Sequence, residues 1–257
     1  MMIKRRMRRT GELFSFLIMQ QFFTDDPPVI GENYVFTKEQ AHHARDVVRL
    51  NHETVRLVYD GKGYFAECYS EGQNFVAHVL KEDPRINESS VQVTLAMALI
   101  RKEKFEMVLQ KAAELGAVRI VPFESSRCVA HARKEKADRQ KQRWQDILKE
   151  GAQQCKRNII PSVTDVVSLK DLIHVKSDIN CAAYENAYGN SRFLSDLIHP
   201  SCSVTIVIGP EGGFSTQEVA DLNQMGYQSV TFGSRILRAE TAAIYGLSLC
   251  SETGEKK

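Results

Sequence analysis

The sequence predicts an α/β protein, with a strand–helix array in its C-terminal part and a small β-rich domain before it. Three observations carry that expectation. From residue 91 onward, apolar runs of strand length alternate with segments of helical periodicity. Upstream, three short strands are separated by turns, one of them rich in glycine. Two glycine-bearing loops, 209–215 and 233–238, each stand between a strand and a helix, where α/β sheets bind ligands.

The elements follow in order. Thr37-Lys38-Glu39-Gln40 is a capping box, and Ala41, Ala44, Val47 and Val48 follow at helical spacing. Residues 54–59, 64–69 and 75–80 read as a meander within a small barrel, with turns at 60–63 and 70–74. The charged stretch 81–90, containing Pro84, reads as a linker. A strand at 91–100 leads to a helix carrying Phe105, Val108, Leu109 and Ala112, which stops at Gly116. After a strand at 119–123, a second helix places Trp144, Ile147, Leu148, Gly151 and Cys155 on one face and ends by Asn158 and Pro161. Glycine costs a helix about 1 kcal/mol relative to alanine, so Gly151 implies close helix packing. Strands at 178–184 and 204–208 come next. Ser215 caps a helix with Glu218 reaching back, and Gly226 stops it. A strand at 229–232 and a helix at 239–250 complete the array.

Composition excludes several classes. At 43% hydrophobic and 26% charged, the 257 residues resemble an ordinary globular protein, and no apolar run nears the ~18 residues of a membrane span. The six cysteines form no C-x-x-C pair and read as reduced thiols of a cytoplasmic protein. No H-E-x-x-H occurs among the seven histidines, and His42-His43 reads as helix surface or partial core, so no metal is expected. The net charge of +2 is concentrated in residues 1–18, which hold five basic side chains and one acidic one, leaving the remainder at −2. That segment resembles a signal peptide, but its apolar part is short and no small-x-small site follows. It reads as a leader, disordered or an over-extended start, with the first domain opening at Met19. Between Arg127 and Arg157 lie ten basic residues against four acidic ones, a pattern that fits a surface tracking phosphates.

The ligand of the two loops can be narrowed. Gly209-Pro210-Glu211-Gly212-Gly213 is followed by no Gly-Lys-Ser/Thr and does not read G-x-G-x-x-G. Glu211 would repel a triphosphate. A neutral or cationic ligand read by main-chain groups fits better, since glycine leaves the backbone open to close approach.

The runs Ile208-Gly-Pro-Glu-Gly-Gly-Phe-Ser215 and Arg235-Ile-Leu-Arg-Ala-Glu-Thr-Ala242 resemble the signature of the RsmE-type 16S rRNA (uracil-N3)-methyltransferases, of the SPOUT class. Similarity extends to 102–122, Ser126-Arg127-Cys128, 150–158, 19–23 and 42–49, covering nearly all of 19–250; Ser234 departs from the proline often found there. The resemblance implies a PUA-like RNA-binding β-barrel at 19–88 and a knotted methyltransferase domain at 89–252. It implies a homodimer acting on 16S rRNA of the 30S subunit, with S-adenosyl-L-methionine as cofactor. Ile208, Gly209, Pro210, Gly212, Gly213, Phe232, Gly233, Ile236, Leu237 and Arg238 would hold that cofactor. Arg157 and Arg238 would orient the uracil and stabilise negative charge. Glu211 or Glu240 stands as base or as structural acceptor. Arg127, Arg133, Lys134, Lys136, Lys156 and Arg157 are the expected RNA contacts. Other readings are a SPOUT enzyme acting on another RNA and a non-catalytic RNA-binding module.

Overall fold

The computed structural model describes residues 19–131, 134–184, 189 and 191–256. The chain divides into two compact units: the residues up to Asn87 together with Gln153–Ile159, and Glu88–Ala152 together with the residues from Ile160 onward.

In the first unit, β1 (Gln21–Phe23), β2 (Asn33–Val35), β3 (Thr54–Tyr59), β4 (Lys62–Glu71) and β5 (Asn74–Asp83) form one sheet in the order β1-β3-β4-β5-β2. β1 runs parallel to β3, and the other pairs are antiparallel. The three expected strands are present: β3 has the expected bounds, and β4 and β5 run longer at both ends. β1 and β2, three residues each, were too short to show a period. Phe22, Phe36, Leu57 and Phe75 fill the core beneath the sheet.

Thr37 caps α1 (Lys38–Ala41) with Gln40 as its capping-box partner. The helix then widens into a π-helical turn, His42–Val47. The extra residue per turn rotates the expected apolar stripe out of register, so Ala44 is buried while Val47 is exposed.

The first unit is organised by a buried arginine. Arg56 lies on β3, fully buried, and its Nε donates to Asp83 Oδ2 at 2.7 Å. Nη1 donates to Gln21 Oε1 at 2.8 Å, and Nη2 to Asn158 Oδ1 at 3.2 Å. A Cβ at Gly63 would stand 2.5 Å from Nη2, so only glycine leaves room for the guanidinium. Asn87 donates to the Lys156 carbonyl, and Asn158 Nδ2 to the Gly61 carbonyl. Residues 81–87 are therefore bonded into this unit rather than forming the solvated linker their charges suggested: Asp83 is the counterion of Arg56.

In the second unit, β6 (Gln92–Ala98), β7 (Ala117–Glu124), β8 (Ser162–Val163), β10 (Ile179–Ala183), β11 (Ser203–Ile208) and β12 (Gln228–Val230) form a parallel sheet ordered β12-β10-β11-β6-β7-β8, and β9 (Val167–Ser168) also pairs with β7. The strands wind from β6 toward β8, while β10 to β12 fill the opposite side. The helices are α2 (Lys102–Glu114), α3 (Ala137–Gln154) and α4 (Thr216–Gln224), which lie between strands, and α5 (Ala239–Glu255), which follows the last one. α2 buries Phe105, Val108, Leu109 and Ala112 as its spacing predicts. A Cβ on Gly151 would approach Ala113 Cβ to 2.8 Å, which is the close α2–α3 packing its presence implied. Cys155 lies beyond the last turn of α3, and α5 runs five residues further than expected. No helix among the described residues is long and apolar enough to cross a membrane.

Removing Arg56 takes from the buried Asp83 its fully buried cationic partner and leaves it only the part-exposed Arg85, at 2.7 Å. Arg56→Leu is expected to destabilise the first unit by about 3–5 kcal/mol in urea unfolding, and adding Asp83→Leu should recover much of that loss. A single variant as stable as the parent would refute this account.

Candidate active site

A cavity of about 240 Å³ opens at the carboxyl ends of β10, β11 and β12. Every residue expected around the cofactor lines it: Ile208 to Gly213 from the first loop, and Phe232, Gly233 and Ile236 to Arg238 from the second. Ala183 and Tyr184 form a third wall that sequence reasoning missed. The sheet order supplies them, since β10 lies between β11 and β12 and its end must emerge between the two loops. No local motif announces that order.

The first loop is shaped by the absence of Cβ atoms. Gly213 has φ +65° and donates its N–H to the Pro210 carbonyl at 2.9 Å, closing a tight turn. A Cβ at Gly209 would stand 3.0 Å from the Phe214 ring, which stacks on Phe123. In the second loop Gly233 has φ +107°, a conformation that side chains resist, with open space where a Cβ would point. The glycines keep main chain open to approach along both loops, beside the residues Ile208, Glu211, Leu237 and Arg238 that also line the cavity. This suits a nucleoside-bearing cofactor read by backbone groups, as S-adenosylmethionine would be.

The loop is anchored from below by Glu218. Oε2 accepts from Ser215 N at 2.8 Å and Ser215 Oγ at 2.9 Å, while Oε1 accepts from Ser125 Oγ and Ser126 N, both at 2.8 Å. Ser215 in turn accepts from Glu218 N, completing the predicted capping box. Burial pushes the carboxyl up, but these donors outweigh it and bring it down to about 2. Arg127 reinforces the same junction, donating to the Gly212 carbonyl at 3.2 Å. Expected as an RNA contact, it is positioned against the cofactor loop.

Of the catalytic candidates, Arg238 faces the cavity from the N-cap of α5. Glu211 also lines the cavity, and its Oε1 accepts from Arg101 N at 3.3 Å, at the start of α2. Glu240 is buried and paired with Lys104 at 2.8 Å; burial raises its carboxyl, but that pair and a backbone hydrogen bond leave it below the ordinary range. Both carboxylates thus have structural partners. Arg157 belongs to the first unit, 3% exposed, with its carbonyl accepting from Gln21 Nε2 at 2.7 Å. Lys156 is also buried there, at φ +64°, with its ammonium turned to the Gln153 carbonyl; burial lowers its pKa. Lys136 is exposed at the start of α3. Residues 1–18 and Arg133 lie outside the described residues, and Lys134 is described only in its backbone.

A parallel sheet with a three-loop cleft at its carboxyl edge is an α/β arrangement that binds ligands at that edge. Residues 87–251 match the model of the RNA methyltransferase domain family. Over 235 residues the chain is 32% identical to the ribosomal RNA small subunit methyltransferase E of Mesomycoplasma hyopneumoniae, covering 90% of this chain and 99% of that one. The Bacillus subtilis protein of the same name is 34% identical over 229 residues, 85% of this chain and 89% of that one. Among solved structures, the small subunit methyltransferase E of Neisseria gonorrhoeae bound to S-adenosyl methionine superposes with a TM-score of 0.81 at 28% identity, covering 90% and 95% of the two chains. The chain belongs to this RNA methyltransferase family, as a member of its ribosomal RNA small subunit methyltransferase E group.

Folding lowers the Glu218 pKa, so its stabilisation is present above the ordinary carboxylate value of 4.5 and is lost as pH falls toward about 2. Glu218→Gln is expected to melt at lower temperature at pH 7 and to show a shallower loss of stability across that acid window. Parallel curves for parent and variant would contradict the anchoring role.

Proposed function

We propose that this chain transfers a methyl group from S-adenosylmethionine to N3 of a uridine in 16S rRNA of the small ribosomal subunit. The observation that supports this reading is the glycine-bearing cavity at the carboxyl edge, in a chain of this family. The reading includes a PUA-like RNA-binding role for the first unit, a knotted second unit, and a cytoplasmic homodimer.

When bound, S-adenosylmethionine supplies an electrophilic methyl group on a sulfonium sulfur. The main chain of 232–237 would hold the adenine, with Ile208, Ile236 and Leu237 as apolar walls. Glu211 places a carboxylate on the cavity wall, which favours a cationic ligand over a phosphate-rich one. Arg238 would stabilise the negative charge that develops on the uracil carbonyls as N3 gives its proton to a base or to solvent. Glu218 and Arg127 hold the first loop in place for this chemistry. Lys136, with Arg133 and Lys134 beside it in sequence, meets RNA phosphates.

Calorimetry with S-adenosylmethionine, followed by nucleoside mass spectrometry of 16S rRNA treated as naked RNA or as assembled 30S particles, tests the proposal. N3-methyluridine supports it; absence of cofactor uptake, or methylation confined to another RNA, overturns it. Arg238→Ala should cut methyl transfer by orders of magnitude while leaving the fold intact, and turnover within a few-fold of the parent would remove its role. Charge reversal at Arg133, Lys134 and Lys136 should weaken RNA binding and flatten its salt dependence. Unchanged binding would place the RNA elsewhere.

A further inference from the structure

We propose that a second cavity of the same unit binds a nucleotide flanking the methylated one and selects an amino-bearing base over uracil. This rests on the RNA methyltransferase reading and adds a specificity site to it. The cavity, about 650 Å³, lies beyond the carboxyl ends of β6 and β7. β6 pairs in parallel with β11, so both cavities open on one edge of the sheet. The hydrogen bond from Arg101 N to Glu211 Oε1 links the loops between them.

Its walls combine three kinds of group. Lys102, Lys136, Arg139 and Arg143 make the rim basic. Lys136 and Arg139 are exposed, and neither forms a hydrogen bond or ion pair within the described residues. The floor is apolar, with Phe105 and Trp144 at a ring-centroid distance of 4.8 Å. The third group is the carboxylate of Glu106. Arg143 donates to Oε2 at 3.2 Å, whereas Oε1 is buried with no hydrogen-bond partner, the Lys102 ammonium lying 3.9 Å away.

These groups ask for a ligand with an anionic end, a flat apolar body and an N–H donor. A phosphate alone leaves the floor and the acceptor unused. An acidic side chain brings no flat body. A nucleotide of single-stranded RNA supplies all three: its phosphate meets the rim cations, its base fills the cavity above the core rings, and a base N–H meets the part-exposed Glu106 carboxylate. Adenine, cytosine and guanine present an exocyclic amino group as donor. Uracil presents one N–H flanked by two carbonyl oxygens, which a carboxylate repels.

Trp144 is the only tryptophan of the chain, so its emission reports on this cavity. The test titrates CMP, AMP, GMP, UMP and inorganic phosphate into the full chain, with S-adenosylmethionine uptake measured in parallel by calorimetry. A saturable emission change is expected, with at least one amino-bearing nucleotide binding about fivefold or more tighter than UMP. Glu106→Gln should erase that preference, because an amide can donate to a uracil carbonyl, while cofactor uptake is unchanged. Arg139→Ala should weaken all four nucleotides alike. UMP binding as tightly as the others, phosphate matching the nucleotides, or no emission change with any nucleotide would overturn the proposal. Failure of cofactor uptake by the parent chain counts against the methyltransferase reading instead, and is scored separately.

Discussion

The second unit depends on one carboxylate with four donors. Glu218 joins two connections far apart in sequence: the segment after β7, through Ser125 and Ser126, and the loop after β11, through Ser215. A glycine-bearing loop has little intrinsic preference for one shape, because its backbone entropy is high. Ionic hydrogen bonds at its far end, shared with a neighbouring loop, convert it into a fixed concave surface. Arg127 adds a second tie to the same loop from the same side. The arrangement explains why a residue read as a phosphate contact instead has its guanidinium on a loop carbonyl.

Much of this was legible in the sequence, where a local rule decided the outcome. The capping boxes at Thr37 and Ser215, the glycine stops at Gly116 and Gly226 and the apolar stripe of α2 are each set by residues within a few positions of one another. The two main loops of the cavity were legible for the same reason. What escaped depends on tertiary partners. Tyr184 reaches the cavity only because β10 is inserted between β11 and β12. Asp83 looked like part of a charged linker until Arg56, remote in sequence, claimed it. Lys156 looked like a surface cation, yet its segment packs into the first unit, where Arg56 and Asn87 donate to its carbonyl. The π-helical turn after α1 likewise follows no composition rule, and it displaced Val47 from the expected buried face.

Charge placement accounts for the rest of the site. Glu211 and Glu240 stand close in sequence to the two loops, and either carboxylate is a plausible base from composition alone. Their partners differ. Glu211 accepts from the amide at the start of α2, and Glu240 is held ionised by Lys104. Protonating Glu240 would forfeit its pairing with Lys104, while its second oxygen is buried with no hydrogen-bond partner among the described residues. Their contribution is the field they set: negative on the cavity wall and neutralised beneath it.

Arg238 differs from both. It occupies the N-cap of α5 without spending its side chain on a capping bond, so the helix fixes its backbone while leaving the guanidinium directed by the cavity it lines. The first amides of α5 have no partners within the helix, and their dipoles add positive potential at the same end. A group carrying developing negative charge is therefore favoured there by two independent sources, a full cation and a helix terminus. Negative charge left behind by a departing proton would therefore be stabilised at this end of the second loop.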